Sequence, residues 1–232
     1  MSLPVLFAAL LASQVSNGPA SEPLGLRLGF SFGPFAPDVD REFKGTATPY
    51  ADLFEDSTGW LLRPKVAWVR PLGFGELTLS GSVGWFKDSA YAFVQDTMQR
   101  SGGTTTIRLI PLTAQVGLRV YFLESWLGFP IHPYLEVGPS YTFWRIGKGD
   151  GSVAVVGDAR ANGGSLGITG ALGVALALDR IDPQSARILR ESYGVHGADI
   201  FFEWDYGRTL PVFENSLEVG GSNWQAGLQI SF

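Results

Sequence analysis

His132, Glu136 and Ser140 are the residues of this sequence whose types could best do chemistry together. A serine, an imidazole and a carboxylate are the parts of a nucleophile–base–orienter relay, the arrangement that hydrolyses acyl groups. Such a relay needs neighbours within hydrogen-bond reach. Here the three lie at i, i+4 and i+8 of a segment in which His132, Tyr134, Glu136, Ser140 and Thr142 alternate with Leu135, Val137, Tyr141 and Phe143. That alternation is a strand pattern, and a four-residue step along a strand spans about 13 Å. The three side chains share a face but cannot touch. His132 and His196 are the only two histidines, so few other relays can be built, and no enzymatic activity is expected. The chain has no cysteine, its Asp and Glu do not cluster at ligand spacing, and no phosphate-binding glycine loop occurs. No metal or other cofactor is therefore expected. Asp150-Gly151-Ser152 reads as turn chemistry.

The other ionisable residues of interest sit on the same kind of polar face. Arg27, Arg63, Lys65, Arg119, Glu136, Glu203 and Asp205 all alternate with large apolar residues. Arg108 joins them if a β-bulge near Ile110-Pro111 reverses the parity of Ile107 and Leu109, which flank it. A charge enclosed without a partner is costly, so this face predicts an ion-pair network that plugs an interior.

Eight segments carry the alternation. Leu26, Leu28, Phe30 and Phe32 open it; Trp60, Leu62, Val66 and Trp68 follow, then Leu77, Leu79, Val83 and Trp85. The longest run, Ile110 to Phe122 by twos, opposes Thr113, Gln115, Gly117 and Arg119. After the His132 segment come Leu166 to Leu178, Ile200 to Tyr206 and Trp224 to Phe232. The polar face holds mostly Gly, Ser, Thr and Ala with scattered charges, and only 17% of the chain is charged. A water-facing exterior carries many more Lys and Glu. The apolar face therefore belongs outside, against lipid, and the small polar face inside a narrow cylinder. The expected fold is all-β, a closed antiparallel up-and-down transmembrane barrel of about eight strands. A soluble lipocalin-like ligand carrier is the alternative, with the faces exchanged.

The connections alternate in length. Residues 34–59, 87–105, 145–164 and 207–222 are long and polar, whereas 71–75 and 123–131 are short. Outer-membrane barrels place long loops outside and short turns on the periplasmic side. The exception, 179–199, is a periplasmic connection that reads as a helix, with Asp182 as N-cap, Pro183 at the first turn and Gly194 as the stop. Trp60, Trp85, Trp144, Trp204 and Trp224 fall near the outer strand ends, and Trp68, Phe122, Trp126 and Phe232 near the inner ends, the pattern of two interfacial girdles. Residues 1–12 form an apolar run of signal-peptide length without a preceding Lys or Arg, followed by a polar stretch and Gly18-Pro19-Ala20. Residues 1–20 are expected to be a signal peptide cleaved after Ala20, leaving 21–232 as the barrel domain. A formal net charge of −5 without long charge runs gives no nucleic-acid surface.

The ending, Trp224 to Phe232 with Leu228 and Ile230 in phase, resembles the C-terminal strand of bacterial outer-membrane proteins. That resemblance implies outer-membrane lipid and the barrel-assembly machinery as partners. More narrowly, the chain resembles a myxobacterial-type family of uncharacterised outer-membrane β-barrel proteins. The resemblance rests on Gly33 to Asp38 with Pro49-Tyr50, on Ile181 to Ala186, and on Phe201 to Trp204. It implies fold and location and brings no catalytic residues. The functional expectation is a monomeric, plugged barrel with a structural or surface-binding role through its long external loops. Passage or binding of small hydrophobic molecules is the alternative.

Overall fold

The computed structural model describes residues 25–54, 58–93, 100–156, 159–210, 212 and 216–232. The expected signal peptide, residues 1–20, and its expected cleavage after Ala20 lie outside the described residues. Alternating residues form β1 (Gly25–Phe35), β2 (Gly59–Leu72), β3 (Gly75–Val83), β4 (Trp85–Phe93), β5 (Arg100–Val120) and β6 (Ile131–Lys148). A small hairpin, β7 (Val155–Val156) and β8 (Ala159–Arg160), precedes β9 (Asn162–Ala177), β10 (Gly197–Thr209) and β11 (Gly221–Ser231). β3 and β4 are two parts of one stave, since both pair with β2 on one side and β5 on the other. The break is Gly84, whose N–H donates to the Pro111 carbonyl at 2.6 Å. A Cβ at Gly84 would stand 2.5 Å from the Pro111 ring, so only glycine fits. Eight staves therefore close antiparallel, β1 pairing with both β2 and β11. The chain end completes the ring: Phe232 and Leu26 exchange backbone hydrogen bonds of 2.8 and 3.2 Å.

The faces divide as the alternation requires. Val116 is 51% exposed and Leu118 39%, while Gln115 and Arg119 between and beside them are 2% and 5% exposed. In water this arrangement would expose a cylinder of Leu, Val, Phe and Trp, which only hydrocarbon can cover. Changing Val116 to Arg is expected to destabilise the barrel in bilayers by about 2–4 kcal/mol, the cost at mid-membrane depth. Urea unfolding in lipid vesicles measures it, and an unchanged midpoint would contradict the lipid-facing assignment.

Four features depart from the sequence reading. The strands run well into the expected loops: β4 and β5 take up much of 87–105, and β6 and β9 extend into 145–164. Several short helices occur where one was expected. They are α1 (Pro49–Phe54), α2 (Phe122–Leu127), α3 (Leu178–Ile181) and α4 (Pro183–Tyr193), with a 3₁₀ turn at Val39–Phe43. The Asp182 side chain caps α4 by accepting from the Ser185 N–H at 3.1 Å, which holds its carboxyl below the usual aspartate range, and Gly194 ends the helix at φ 69°. Third, no bulge exists at Ile110-Pro111, for β5 keeps one register along β6 from Thr105 to Arg119. Ile107 and Leu109 point inward, at 2% and 1% exposure, and Arg108 points outward. The alternation never slipped; the interior itself becomes apolar at that level. Fourth, Trp144 leaves the outer girdle. It shares the inward parity of Ile146, packs against the interior cluster and lies over Gly163.

Candidate functional site

Two layers fill the barrel. The outer layer is apolar: Leu61, Phe86, Ile107 and Leu109 from the walls meet Val39, Tyr50 and Phe54 from the first long connection and Val219 from the last. Residues 39–54 of the first connection are thus folded into the barrel mouth. Asp40 anchors it by accepting from the Tyr50 and Ala51 N–H groups at 2.6 and 2.9 Å, the free donors at the start of α1. The Tyr50 hydroxyl donates to Asp88 on β4 at 3.0 Å, and burial beside these carboxylates pushes the phenol well up. Tyr50 and Phe54 stack at 4.7 Å.

Beneath lies the charged layer. Arg63 on β2 contacts Glu203 and, at 2.7 Å, Asp205, two residues apart on the inward face of β10. Lys65 meets Glu136 at 2.5 Å and Glu203 at 4.0 Å. Tyr134 donates its hydroxyl to Glu203 at 2.7 Å, and its ring, 5.4 Å from the Arg119 guanidinium carbon, occupies the space left by Gly173. Lower still, Arg27 pairs with Glu76, and Arg119 bridges Glu76 at 3.2 Å to Asp199 at 2.9 Å. Tyr121 donates to Glu76 at 2.5 Å and Gln229 to Asp199 at 2.9 Å. Between the layers a void of about 70 Å³, lined in part by Arg63, Ser140 and Asp205, has room for only a few waters.

Seven of the eight charges read from the sequence therefore converge: Arg27, Arg63, Lys65, Arg119, Glu136, Glu203 and Asp205. Arg108 does not, for it stands on the outer surface. Glu76 and Asp199 are the partners sequence reading left out. They sit in or beside the expected turns 71–75 and 179–199, although their parity with Thr78 and with Glu203 already marked them as inward. His132, Glu136 and Ser140 do not assemble: His132 lies 2.8 Å from Glu124 of α2, edge-on to Tyr121, while Glu136 is held by Lys65. Trp224, Leu228, Ile230 and Phe232 project outward along or just beyond β11.

A closed ring of eight staves with a greasy exterior and an ion-paired interior defines a transmembrane β-barrel. No family model matches the chain, and no curated protein matches it. Among solved structures it is similar to Neisserial surface protein A (13% identity, TM-score 0.48) and to the N-terminal β-barrel domain of Pseudomonas aeruginosa OprF (10%, 0.46). It is likewise similar to the attachment invasion locus protein of Yersinia pestis, solved with a heparin analogue (10%, 0.45). Each likeness covers 90% of this chain and 97% of the other. All three are small bacterial outer-membrane barrels.

Proposed function

We propose that this chain is an outer-membrane barrel that conducts nothing and instead holds a surface in place. The stack of two layers carries this reading, because buried apolar side chains occupy the interior near the mouth and ion-paired side chains occupy it beneath. The four interior cations, Arg27, Arg63, Lys65 and Arg119, stand against five carboxylates, Glu76, Glu136, Asp199, Glu203 and Asp205, each cation engaged. Such a cross-linked interior suits a rigid anchor for external segments. The segments 34–59, 87–105, 145–164 and 207–222 form its contact surface, the first partly withdrawn as the mouth lid. Lipid surrounds the monomer, and β11 with Trp224, Leu228, Ile230 and Phe232 is the strand offered to the assembly machinery. The narrower kinship with the myxobacterial-type family belongs to the same reading, and no catalytic role is part of it.

Reconstituted into planar bilayers, the folded protein is expected to give no large, stable conductance. On gels it should migrate differently before and after boiling. Open-channel currents would overturn the plug, and the absence of a boiling shift in a water-soluble protein would overturn the membrane reading.

A further inference from the structure

The ring strands sort their charges by sign. Every carboxylate they carry, Glu76, Asp88, Glu136, Asp199, Glu203 and Asp205, lies on the inward face. Among the described side chains, the charges on the outward face are Arg70, Lys87, Arg108, Arg145 and Arg208, all cationic. Three of them form a row. Lys87 is the register partner of Arg108, and Arg108 is the register partner of Arg145, across β4, β5 and β6. Directly opposed side chains on adjacent strands stand about 5 Å apart at Cβ, where like charges repel. No carboxylate among the described residues lies within ion-pair reach of the three. Arg145 donates to the Gly151 carbonyl at 3.0 Å, which satisfies one N–H group and neutralises nothing.

The row marks a boundary. Two residues nearer the barrel's middle, the same strands present Trp85, Ile110 and Phe143, all apolar and outward. Two residues farther out they present Ser89, Thr106 and Gly147, with the two hydroxyls 3.1 Å apart. A groove of about 180 Å³ runs across this boundary, lined by the Arg108 and Arg145 side chains above and Trp85, Ile110 and Phe143 below. Three cations at the edge of hydrocarbon need a counter-anion, and the apolar floor of the groove extends toward the lipid rather than toward water.

We infer that Lys87, Arg108 and Arg145 hold the phosphorylated head group of a lipid in the leaflet at the barrel's mouth, with its acyl chain against Trp85, Ile110 and Phe143. Guanidinium forks match phosphate oxygens bidentately, and Lys87 adds a point charge. The row spans two strand spacings, about 10 Å, which suits a head group bearing more than one phosphate. The inference rests on the membrane reading above.

The test uses the full folded chain in phosphatidylcholine nanodiscs, titrated with diphosphoryl lipid A and read by native mass spectrometry of the ejected barrel. The chain should retain diphosphoryl lipid A, and the Lys87→Gln/Arg108→Gln/Arg145→Gln variant about a hundredfold less tightly. Arg108→Gln alone should weaken retention by a smaller factor and covers the case in which the triple variant fails to show its boiling shift. Arg208→Gln, an outward cation on β10, should leave retention unchanged. Equal retention by the triple variant, or equal retention of phosphatidylcholine, overturns the site. Inorganic pyrophosphate binding as tightly as the lipid would make it a free-anion site and overturn the lipid assignment. A wild-type chain that never enters bilayers overturns the membrane reading and this inference together; entry without lipid A selectivity overturns this inference alone.

Discussion

Replacing Arg63 with Met is expected to destabilise the folded barrel by about 3–5 kcal/mol, the cost of removing one partner from a buried ion pair. Two neighbours make this position sensitive. Glu203 and Asp205 are 1% and 4% exposed, and both lean on the one guanidinium. Without it, Glu203 keeps Lys65 at 4.0 Å and the Tyr134 hydroxyl, but Asp205 loses its ion-pair partner. Arg63→Lys should lie between, because an ammonium cannot fork to two carboxylates. The informative comparison is the triple variant Arg63→Met/Glu203→Gln/Asp205→Asn. Removing all three charges together should recover most of the loss, since the penalty arises from uncompensated charge rather than from the pair's own net worth. Equilibrium urea unfolding in vesicles supplies the numbers. A loss under about 1 kcal/mol for Arg63→Met would show that the charged layer is solvated and not a plug.

The second large effect lies one layer out. Phe86→Ala should cost about 3–5 kcal/mol, the usual range for a buried phenylalanine truncated to alanine. Phe86 is 1% exposed, meets the Phe35 ring edge-on at 5.2 Å, and sits so close to Gly59 that a Cβ there would come within 2.5 Å of its ring. The cavity opens in the same cluster that seats Tyr50 and Phe54 of the mouth lid. Loss of stability should therefore come with faster proteolysis within 36–54, followed by mass spectrometry of the fragments. Phe30→Ala serves as the control. That ring is 49% exposed on the lipid face, so its removal leaves lipid in contact with lipid and no void. Equal losses for the two variants would mean that the mouth is not packed.

Most of the barrel was legible because period 2 is rigid. Once Leu118 and Arg119 fall on opposite faces, so do all their neighbours at even and odd steps. Two of the missed features share one cause. Ile107 and Leu109 broke the apolar-outside rule, and a bulge was the local way to keep that rule. The actual solution is tertiary: residues from 39–54 bring an apolar lid of their own, so the inward face near the mouth has apolar partners. Trp144 was misplaced for the same reason. Strand ends were also hard to read, because Ser, Thr and Gly outside the hydrocarbon pair as strand without any need to alternate in hydrophobicity. That is how β4 and β5 run on into the expected loop 87–105.

The sequence by itself determined the strand faces, which face meets lipid, and that the enclosed face would need paired charges. Its alternation and composition carry that information residue by residue. Only the tertiary structure decided who pairs with whom. Arg27 and Glu76 are 49 residues apart, Arg63 and Glu203 140, and they meet because closure of eight staggered staves brings their depths and directions together. Periodicity specifies a side, whereas depth along the barrel and position around it come from register and closure. The outward row of Lys87, Arg108 and Arg145 is of the same kind: three residues far apart in the chain, aligned only once β4, β5 and β6 are zipped.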